Sequence, residues 1–291
     1  MGVDFMKREY NCSLVDAELN YLDDTRIIDT SLLKTDNTKS IDINSGIKLP
    51  IDEETAELVK IDIKDLEKYD SWYFIDGRVF FLKERKSNLS ILNELLGQEL
   101  AEYMHIPTIK YNIATEKSSI IGLFSENFLD GTFEHKKGIY ASKSILKEIR
   151  NILTDPNYQC DELLRKRYTA LLVKNLYTAI GDRTNNSYYG IKNGKLIFTP
   201  TFDYESAFIN PTFAFSGDPL FDYTYTQEAM EYLKNNNQYF MEYIEMIKNN
   251  SMLSSLGNIE EKYGIVVPNC YIEHYVDFDT KRKEFIKTLG L

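Results

Sequence analysis

The chain has 291 residues, 43% of them hydrophobic, which is long enough for one large domain or for two lobes that share a cleft. Its 45 acidic and 34 basic side chains give a formal net charge of −11, which argues against nucleic acid as a partner. No window approaches the roughly 18 consecutive apolar residues of a membrane-spanning helix, and the three scattered cysteines suit neither a disulfide framework nor a zinc site. We therefore predict a cytoplasmic protein without a membrane or nucleic-acid partner.

A β-hairpin is the first clear pattern along the chain. Residues 72–75 and 78–83 are rich in aromatic and apolar side chains, and Asp76-Gly77 between them is typical of a two-residue hairpin turn. Ahead of the hairpin, the sequence predicts an irregular segment with short strands over residues 1–50 and a helix within residues 52–68.

An amphipathic helix is predicted next, over residues 90–104 and ending before Pro107. Its apolar positions recur every fourth residue, at Leu92, Leu96, Leu100 and Met104. The hairpin ends in Lys83 and the helix carries Glu94, as in the small lobe of a kinase, where a carboxylate holds the phosphate-binding lysine in place. Such charges more often lie on a solvated surface, so this signal alone does not decide the function.

Two further strands, over residues 108–114 and 119–128, complete a β-rich N-terminal part. Helical patterns follow over residues 142–154, 161–180, 226–249, 251–263 and 268–289. This order predicts an α+β, two-lobed, protein-kinase-like fold. Its β-rich N-terminal lobe would comprise residues 1–130 and its mostly helical C-terminal lobe residues 131–291.

Polar turns lie on both sides of a predicted hairpin within residues 172–208. The first turn holds Asp182, Asn185 and Asn186, and the second holds Asp203. Magnesium-assisted phosphoryl transfer needs one Asp to orient a hydroxyl, and an Asn with a second Asp to hold the metal. Turns favour Asp and Asn for conformational reasons as well, so both interpretations stay open at this point.

The spaced motifs resemble those of the HipA-like kinases, bacterial relatives of the eukaryotic protein kinases. Residues 93–107 (NELLGQELAEYMHIP) resemble the family's helix that pairs with the lysine, residues 181–191 (GDRTNNSYYGI) its catalytic loop, and residues 196–208 (LIFTPTFDYESAF) its metal-binding segment. The resemblance implies ATP and Mg²⁺ as cofactors and a set of site residues. Lys83 and Glu94 would serve the nucleotide phosphates, Asp182 catalysis, Asn186 and Asp203 the metal, and a hinge of Glu126, Asn127 and Phe128 the adenine.

The resemblance implies a serine/threonine protein kinase, able to phosphorylate itself, with a regulatory or antitoxin-like protein partner and an unidentified protein substrate. Two positions depart from the family pattern: Thr184 replaces the usual His, and Ser187 stands where the metal-binding Asn is expected. The alternatives are therefore a pseudokinase or nucleotide-binding regulatory module without transfer, and a small-molecule kinase of the same fold. A helical scaffold without a nucleotide site is a weaker alternative.

Overall fold

The structure, a computed structural model, describes residues 39–68, 71–84, 87–137, 143–180, 188–213 and 226–291. Within these residues the N-terminal part is dominated by a six-stranded sheet of order β1-β5-β6-β4-β3-β2. Its strands are β1 Ser40–Asp42, β2 Ile47–Lys48, β3 Trp72–Ile75, β4 Arg78–Glu84, β5 Tyr111–Glu116 and β6 Ser119–Glu126. Strand β1 runs parallel to β5, and the other neighbouring strands are antiparallel.

This sheet is curled. In a flat sheet of this order, β1 and β2 would lie about 24 Å apart, at five spacings of about 4.8 Å. The chain from Asp42 to Ile47 spans at most about 18 Å, yet it connects these two edge strands through a short 3₁₀ turn, Ile43–Ser45. The two edges must therefore approach each other, and the sheet forms a half-barrel.

The predicted hairpin is confirmed as β3 and β4. Asp76 and Gly77 both have positive φ angles, 47° and 79°, as a tight two-residue turn requires, and Ile75 pairs with Arg78 across it. The short strands predicted before residue 50 are confirmed as β1 and β2 within the described part of that segment. Two helices, α1 Glu53–Val59 and α2 Ile63–Lys68, occupy the region where one was predicted.

The central helix, α3 Asn88–Tyr103, begins two residues earlier than predicted because Ser87 caps it. The Ser87 hydroxyl accepts from the Ser90 backbone N–H at 3.0 Å, and the Ser90 hydroxyl accepts from the Ser87 N–H at 3.1 Å. Helix α3 is buried on almost every side, because it packs between the sheet and the C-terminal helices. One continuous apolar core thus includes α3, strands β5 and β6, and the helices that follow.

The C-terminal part is mostly helical, as predicted. Its helices are α4 Lys143–Thr154, α5 Glu162–Thr178, α6 Gln227–Asn236, α7 Phe240–Asn249, α8 Met252–Tyr263 and α9 Asn269–Thr288. A three-stranded sheet of β7 Glu134–Lys137, β8 Tyr188–Lys192 and β9 Lys195–Ile197 accompanies them. Strands β8 and β9 form the hairpin predicted ahead of Asp203, whereas β7 had no recognisable pattern. The division at residue 130 stays a prediction.

The single helix predicted over residues 226–249 is wrong, because the chain breaks between α6 and α7. The buried Asn237 side chain donates to the Leu153 carbonyl at 3.0 Å and to the Thr169 hydroxyl at 2.9 Å. Its amide oxygen also accepts the Tyr239 backbone N–H at 3.1 Å. These bonds hold Asn237 in an extended conformation at the break.

The strand predicted from Thr108 begins instead at Tyr111, and the preceding residues pair elsewhere. The Thr201 N–H donates to the Pro107 carbonyl at 2.9 Å, and the Ile109 N–H donates to the Thr201 carbonyl at 3.1 Å. This pairing ties the end of α3 to the segment that leads to Asp203.

Among the described residues, no helix combines the length and the apolar character needed to cross a lipid bilayer.

Candidate active site

Lys83 lies near the end of β4, next to a close approach of two strands. On the neighbouring strand β6, Lys83 pairs with Leu123, and Gly122 pairs with Glu84. A Cβ atom at Gly122 would lie 2.2 Å from the Lys83 carbonyl oxygen, so a larger residue would push β6 away from β4. The backbone of Lys83 is therefore held closely against β6, and its side chain contacts Glu94 of α3.

Glu94 on α3 is the partner of Lys83 and is only 1% exposed. Its Oε1 lies 2.5 Å from the Lys83 Nζ. Its Oε2 accepts the Tyr111 hydroxyl at 2.7 Å and the Tyr204 backbone N–H at 2.8 Å. A buried carboxylate needs such partners on both oxygens, and each of these three comes from a different part of the chain.

Asp203 approaches Lys83 from the segment after β9, and its carboxylate oxygen Oδ1 accepts a hydrogen bond from the Lys83 ammonium. Its φ angle of 60° lies in the left-handed region, which an aspartate tolerates better than most residues and which is frequent at functional sites. This conformation turns the next backbone N–H, that of Tyr204, toward Glu94. The αL turn therefore lets one short segment contact both members of the ion pair.

The ring of Tyr204 packs between two helices and holds this segment in place. On one side lies Gly97 of α3, where an added Cβ would come within 2.1 Å of the ring, so that only glycine allows the contact. On the other side the ammonium of the buried Lys174, from α5, lies 3.3 Å from the ring centroid, a cation–π contact. The position of Asp203 is thus set by close packing of its neighbour.

Glu205 is a third carboxylate at Lys83 and was not predicted from the sequence. Its Oε2 lies 3.2 Å from the Lys83 Nζ, and its side chain is 15% exposed. Within the described residues, single oxygens of Glu94, Asp203 and Glu205 lie within 4.8 Å of one another. The only signal in the sequence was the FDYES stretch, in which a second acid follows Asp203 by two residues.

The electrostatics of this cluster favour a charged lysine. Burial lowers the pKa of Lys83, but the carboxylates of Glu94, Asp203 and Glu205 raise it by more, so that the pKa lies above the ordinary lysine value. Burial raises the pKa of Glu94, against the opposing effects of the Lys83 ammonium and the Tyr204 N–H. Burial and the nearby Glu94 raise the pKa of Tyr111 well above its ordinary value, which keeps the phenol protonated as a donor.

The predicted hinge, Glu126 to Phe128, lies at the end of β6. The Asn127 backbone N–H donates to the Val79 carbonyl at 2.9 Å, and the Asn127 side chain binds the Val59 carbonyl at 3.1 Å and the Leu129 N–H at 3.1 Å. Asn127 therefore braces the segment internally. Glu126 forms an exposed ion pair with Arg78 at 3.0 Å, and the Phe128 ring lies 6.0 Å from that of Phe202. A nucleotide contact by these three residues stays a prediction.

The predicted catalytic Asp182 and the predicted metal ligand Asn186 lie outside the described residues, as do the alternative ligand Asn185 and the variant position Ser187. The structure does describe the helix that leads to them. Helix α5 ends at Thr178, whose carbonyl accepts the Phe208 backbone N–H at 2.9 Å. The chain therefore enters residues 181–187 from a point tied to the Asp203 segment.

The donor set suits magnesium and phosphate together. Carboxylate oxygens are hard ligands of the kind that Mg²⁺ takes in phosphoryl-transfer sites, and Asp203 is 28% exposed, so one face remains accessible to solvent. The lysine beside it suits an anionic phosphate. The residues present therefore fit a nucleotide phosphate with a divalent cation.

The arrangement of these residues is kinase-like. A sheet lysine paired with a helix carboxylate, with an aspartate opposite, is the arrangement of the nucleotide-binding half of a protein kinase. The curled sheet followed by a helical part is consistent with the same fold.

Comparison with the solved structure of HipA supports the kinase-like fold. HipA of Shewanella oneidensis MR-1, solved with HipB and operator DNA, aligns over 92% of this chain and 74% of its own, with a TM-score of 0.51 and 10% identity. The proinflammatory kinase CtkA of Helicobacter pylori aligns over 73% of this chain and 89% of its own, with a TM-score of 0.48 and 12% identity. No family model and no curated protein matches the sequence. The predicted HipA-like, kinase-like fold is thus confirmed at the level of architecture.

Proposed function

We propose that this chain is an ATP- and Mg²⁺-dependent phosphotransferase, specifically a serine/threonine protein kinase of the HipA-like type. The observation that carries the proposal is the contact of Lys83 with the buried Glu94 and with Asp203, which lie on three separate elements. A structural ion pair needs one carboxylate, whereas this lysine contacts three within a partly accessible cluster. The desolvation of such a cluster is unfavourable, which favours a functional role over a purely structural one.

In the proposed mechanism, Lys83 binds the nucleotide phosphates while Glu94 keeps its ammonium in place. Asp203, together with Asn186 from the preceding loop, would hold Mg²⁺, which neutralises charge on the transferred phosphoryl group when bound. Asp182 would orient the attacking hydroxyl, and the hinge at Glu126 to Phe128 would bind the adenine. Catalysis then depends mainly on positioning and charge neutralisation.

A second candidate is a pseudokinase that binds nucleotide without transferring phosphate. The observation that favours it is in the sequence: Ser187 occupies the position of the expected metal-binding Asn, and Thr184 that of the usual His. Asn186 and Asn185 are the nearby amides that would compensate. Comparing Asn185→Ala with Asn186→Ala identifies the ligand, because loss of transfer in one variant alone assigns the role to that residue.

The test is incubation with Mg²⁺ and γ-labelled ATP, followed by intact-mass analysis for phosphate on the chain and by assays with protein and small-molecule acceptors. We expect transfer by the wild type, a loss of at least about a hundredfold in Lys83→Met, and unchanged transfer in Lys110→Met. Lys110 is a suitable control because it also contacts a glutamate of α3, Glu102, but is 65% exposed.

Further variants separate the candidates. Asp182→Asn should still bind ATP but lose transfer. Lys83→Arg keeps the positive charge beside Glu94 and so controls for a folding defect in Lys83→Met. ATP binding without transfer by the wild type would favour the pseudokinase, and transfer only to a small molecule would replace the protein-kinase assignment. Absence of ATP binding by the folded wild type would exclude both candidates.

A regulatory protein partner belongs to the same proposal. HipA was solved in complex with HipB, and the acidic surface of this chain, with a net charge of −11, suits a basic partner. The partner should alter the transfer rate when added to the purified chain. A candidate that binds without changing either transfer or nucleotide affinity would not be this regulator.

A further inference from the structure

We infer that Asn93 and Tyr275 are positioning residues that connect the C-terminal helix α9 to the Asp203–Phe208 segment. The inference deepens the proposed function and rests on it for its catalytic meaning. Whether α9 holds this segment in place can be tested without any activity.

Asn93 holds the segment through its backbone. Its side-chain Nδ2 donates to the Glu205 carbonyl oxygen at 2.7 Å, and the residue is only 1% exposed. Asn93 also directly precedes Glu94, so adjacent residues of α3 bind the backbone of the segment at Glu205 and at Tyr204. The carboxylates of Asp203 and Glu205 lie on either side of Tyr204, which means that these two bonds set where both reach Lys83.

Tyr275 holds Asn93 in turn. Its hydroxyl donates to the Asn93 Oδ1 at 2.7 Å, and its side chain is fully buried. An amide whose oxygen is fixed in this way has its NH₂ group directed to a defined place, here the Glu205 carbonyl. Removal of the hydroxyl would leave the Asn93 oxygen short of a donor in a buried setting, which weakens the orientation of the amide.

The same helix also contacts the far end of the segment. The ring of Phe208 packs edge-to-face against Tyr275, with centroids 6.0 Å apart, and the Phe208 carbonyl lies 3.1 Å from the Nε2 of His274. The φ angle of Phe208 is 60°, so the segment begins and ends in left-handed conformations that surrounding contacts must maintain. Helix α9 therefore contacts the segment directly at Phe208 and through Asn93 at Glu205.

A comparable bond lies one turn earlier on α9, between Tyr271 and Asn88 of α3. The Nδ2 of Asn88 donates to the Tyr271 hydroxyl at 3.0 Å, and both residues are fully buried. That bond joins α3 and α9 and includes no residue of the Asp203–Phe208 segment. Tyr271→Phe is therefore the control for Tyr275→Phe, since each removes one buried hydroxyl at the same helix interface.

Three backbone amides report on the segment without any ligand. They are those of Tyr204, Ala207 and Phe208, which donate to the Glu94 carboxylate, the Tyr204 carbonyl and the Thr178 carbonyl. In hydrogen exchange at these amides, we expect Tyr275→Phe to accelerate exchange by about tenfold relative to the control, the order of effect of one lost buried hydrogen bond. Equal acceleration in both variants, or none in Tyr275→Phe, would overturn the inference.

The second readout separates binding from chemistry. For Tyr275→Phe we expect KM for Mg·ATP to rise about fivefold with a smaller change in kcat, and Asn93→Asp should behave similarly because it keeps an acceptor for Tyr275 but loses the donor to Glu205. A fall in kcat alone would contradict positioning of the Asp203 and Glu205 carboxylates. If the wild type transfers no phosphate, the proposed function fails, while the exchange result still decides whether α9 positions the segment.

Discussion

Helix α3 carries two glutamates that each contact lysine, and the difference between them separates a candidate site from an ordinary surface network. Glu94 is fully buried against Lys83, whereas Glu102, eight residues later, is 28% exposed and contacts Lys110 and Lys262. Both are carboxylate–ammonium contacts on one helix. Burial and the further carboxylates around Lys83 distinguish them.

The two environments affect the carboxyl pKa in opposite directions. Burial raises the pKa of Glu94. At Glu102, burial is outweighed by hydrogen bonds from Lys110, Lys262 and Gln98, which hold its pKa below the ordinary value. A charge that is easily satisfied at the surface needs no functional explanation, whereas a buried one surrounded by further carboxylates does.

The largest expected effect is on stability when the central lysine is removed. Lys83→Met leaves the buried Glu94 without its counter-charge, so we expect the free energy of unfolding to fall by about 3 kcal/mol. Lys110→Met, which breaks the exposed contact with Glu102, should lower it by less than about 1 kcal/mol. Denaturant unfolding of both variants measures the difference. Similar losses would mean that the two glutamates are energetically equivalent.

A smaller effect is expected from the second partner of Glu94. Tyr111→Phe removes the 2.7 Å bond to the buried carboxylate, which should lower the free energy of unfolding by about 1.5 kcal/mol. Tyr103→Phe removes a more exposed hydroxyl bond to the Met246 carbonyl at 3.1 Å and should lower it by about 0.5 kcal/mol or less. The pair is compared by thermal or denaturant unfolding, and a reversed order would contradict the assigned burial.

The acid response of Glu102 is the next test. Its pKa is lower in the folded than in the unfolded chain, so its ion pairs stabilise the fold above the ordinary value of 4.5, and this contribution is lost as the pH falls through the folded-state pKa. Glu102→Gln should therefore lower stability by about 1 kcal/mol near neutral pH. The difference from wild type should shrink as the pH falls below 4.5 and through the folded-state pKa. A difference that grows on acidification would show that the pKa shift has the other sign.

The smallest effect is expected at an isolated pair on α9. Lys281 contacts Asp277 at 2.7 Å one helical turn away, and both side chains are more than half exposed. Lys281→Ala should change the free energy of unfolding by no more than about 0.5 kcal/mol, and high salt should reduce even that. A loss comparable to that of Lys83→Met would remove the distinction between buried and exposed pairs.

The sequence predicted the parts of the fold that depend on local patterns. The Asp76-Gly77 turn needs two positive φ angles, and the leucine spacing of α3 follows helical periodicity, so both could be predicted from the sequence. The expected proximity of Lys83 and Glu94 came from the order of strand and helix and from the family motifs. The break at Asn237 could not be predicted, because it depends on bonds to Leu153 and Thr169, which are 84 and 68 positions away in the chain.

The rest of the site depends on contacts between distant segments. Glu205 contacts Lys83 across 122 positions of the chain, and its place two residues after Asp203 does not by itself predict that contact. Tyr111 lies in no motif, and Asn93 begins the family-like helix motif without a role of its own there. Their roles appear only once the sheet and α9 are placed against α3. The predicted loop of Asp182 and Asn186 stays a prediction from the motif.

The most direct test of the central claim is calorimetric titration of ATP into the wild type and Asp203→Asn, each with and without Mg²⁺. Asn preserves the shape of the side chain and tolerates the positive φ angle, so the substitution removes mainly the charge. We expect Mg²⁺ to tighten ATP binding to the wild type by at least about tenfold and to have little effect on Asp203→Asn. Equal magnesium dependence in the two proteins would contradict the assignment of Asp203 to the metal and, with it, this account of the site.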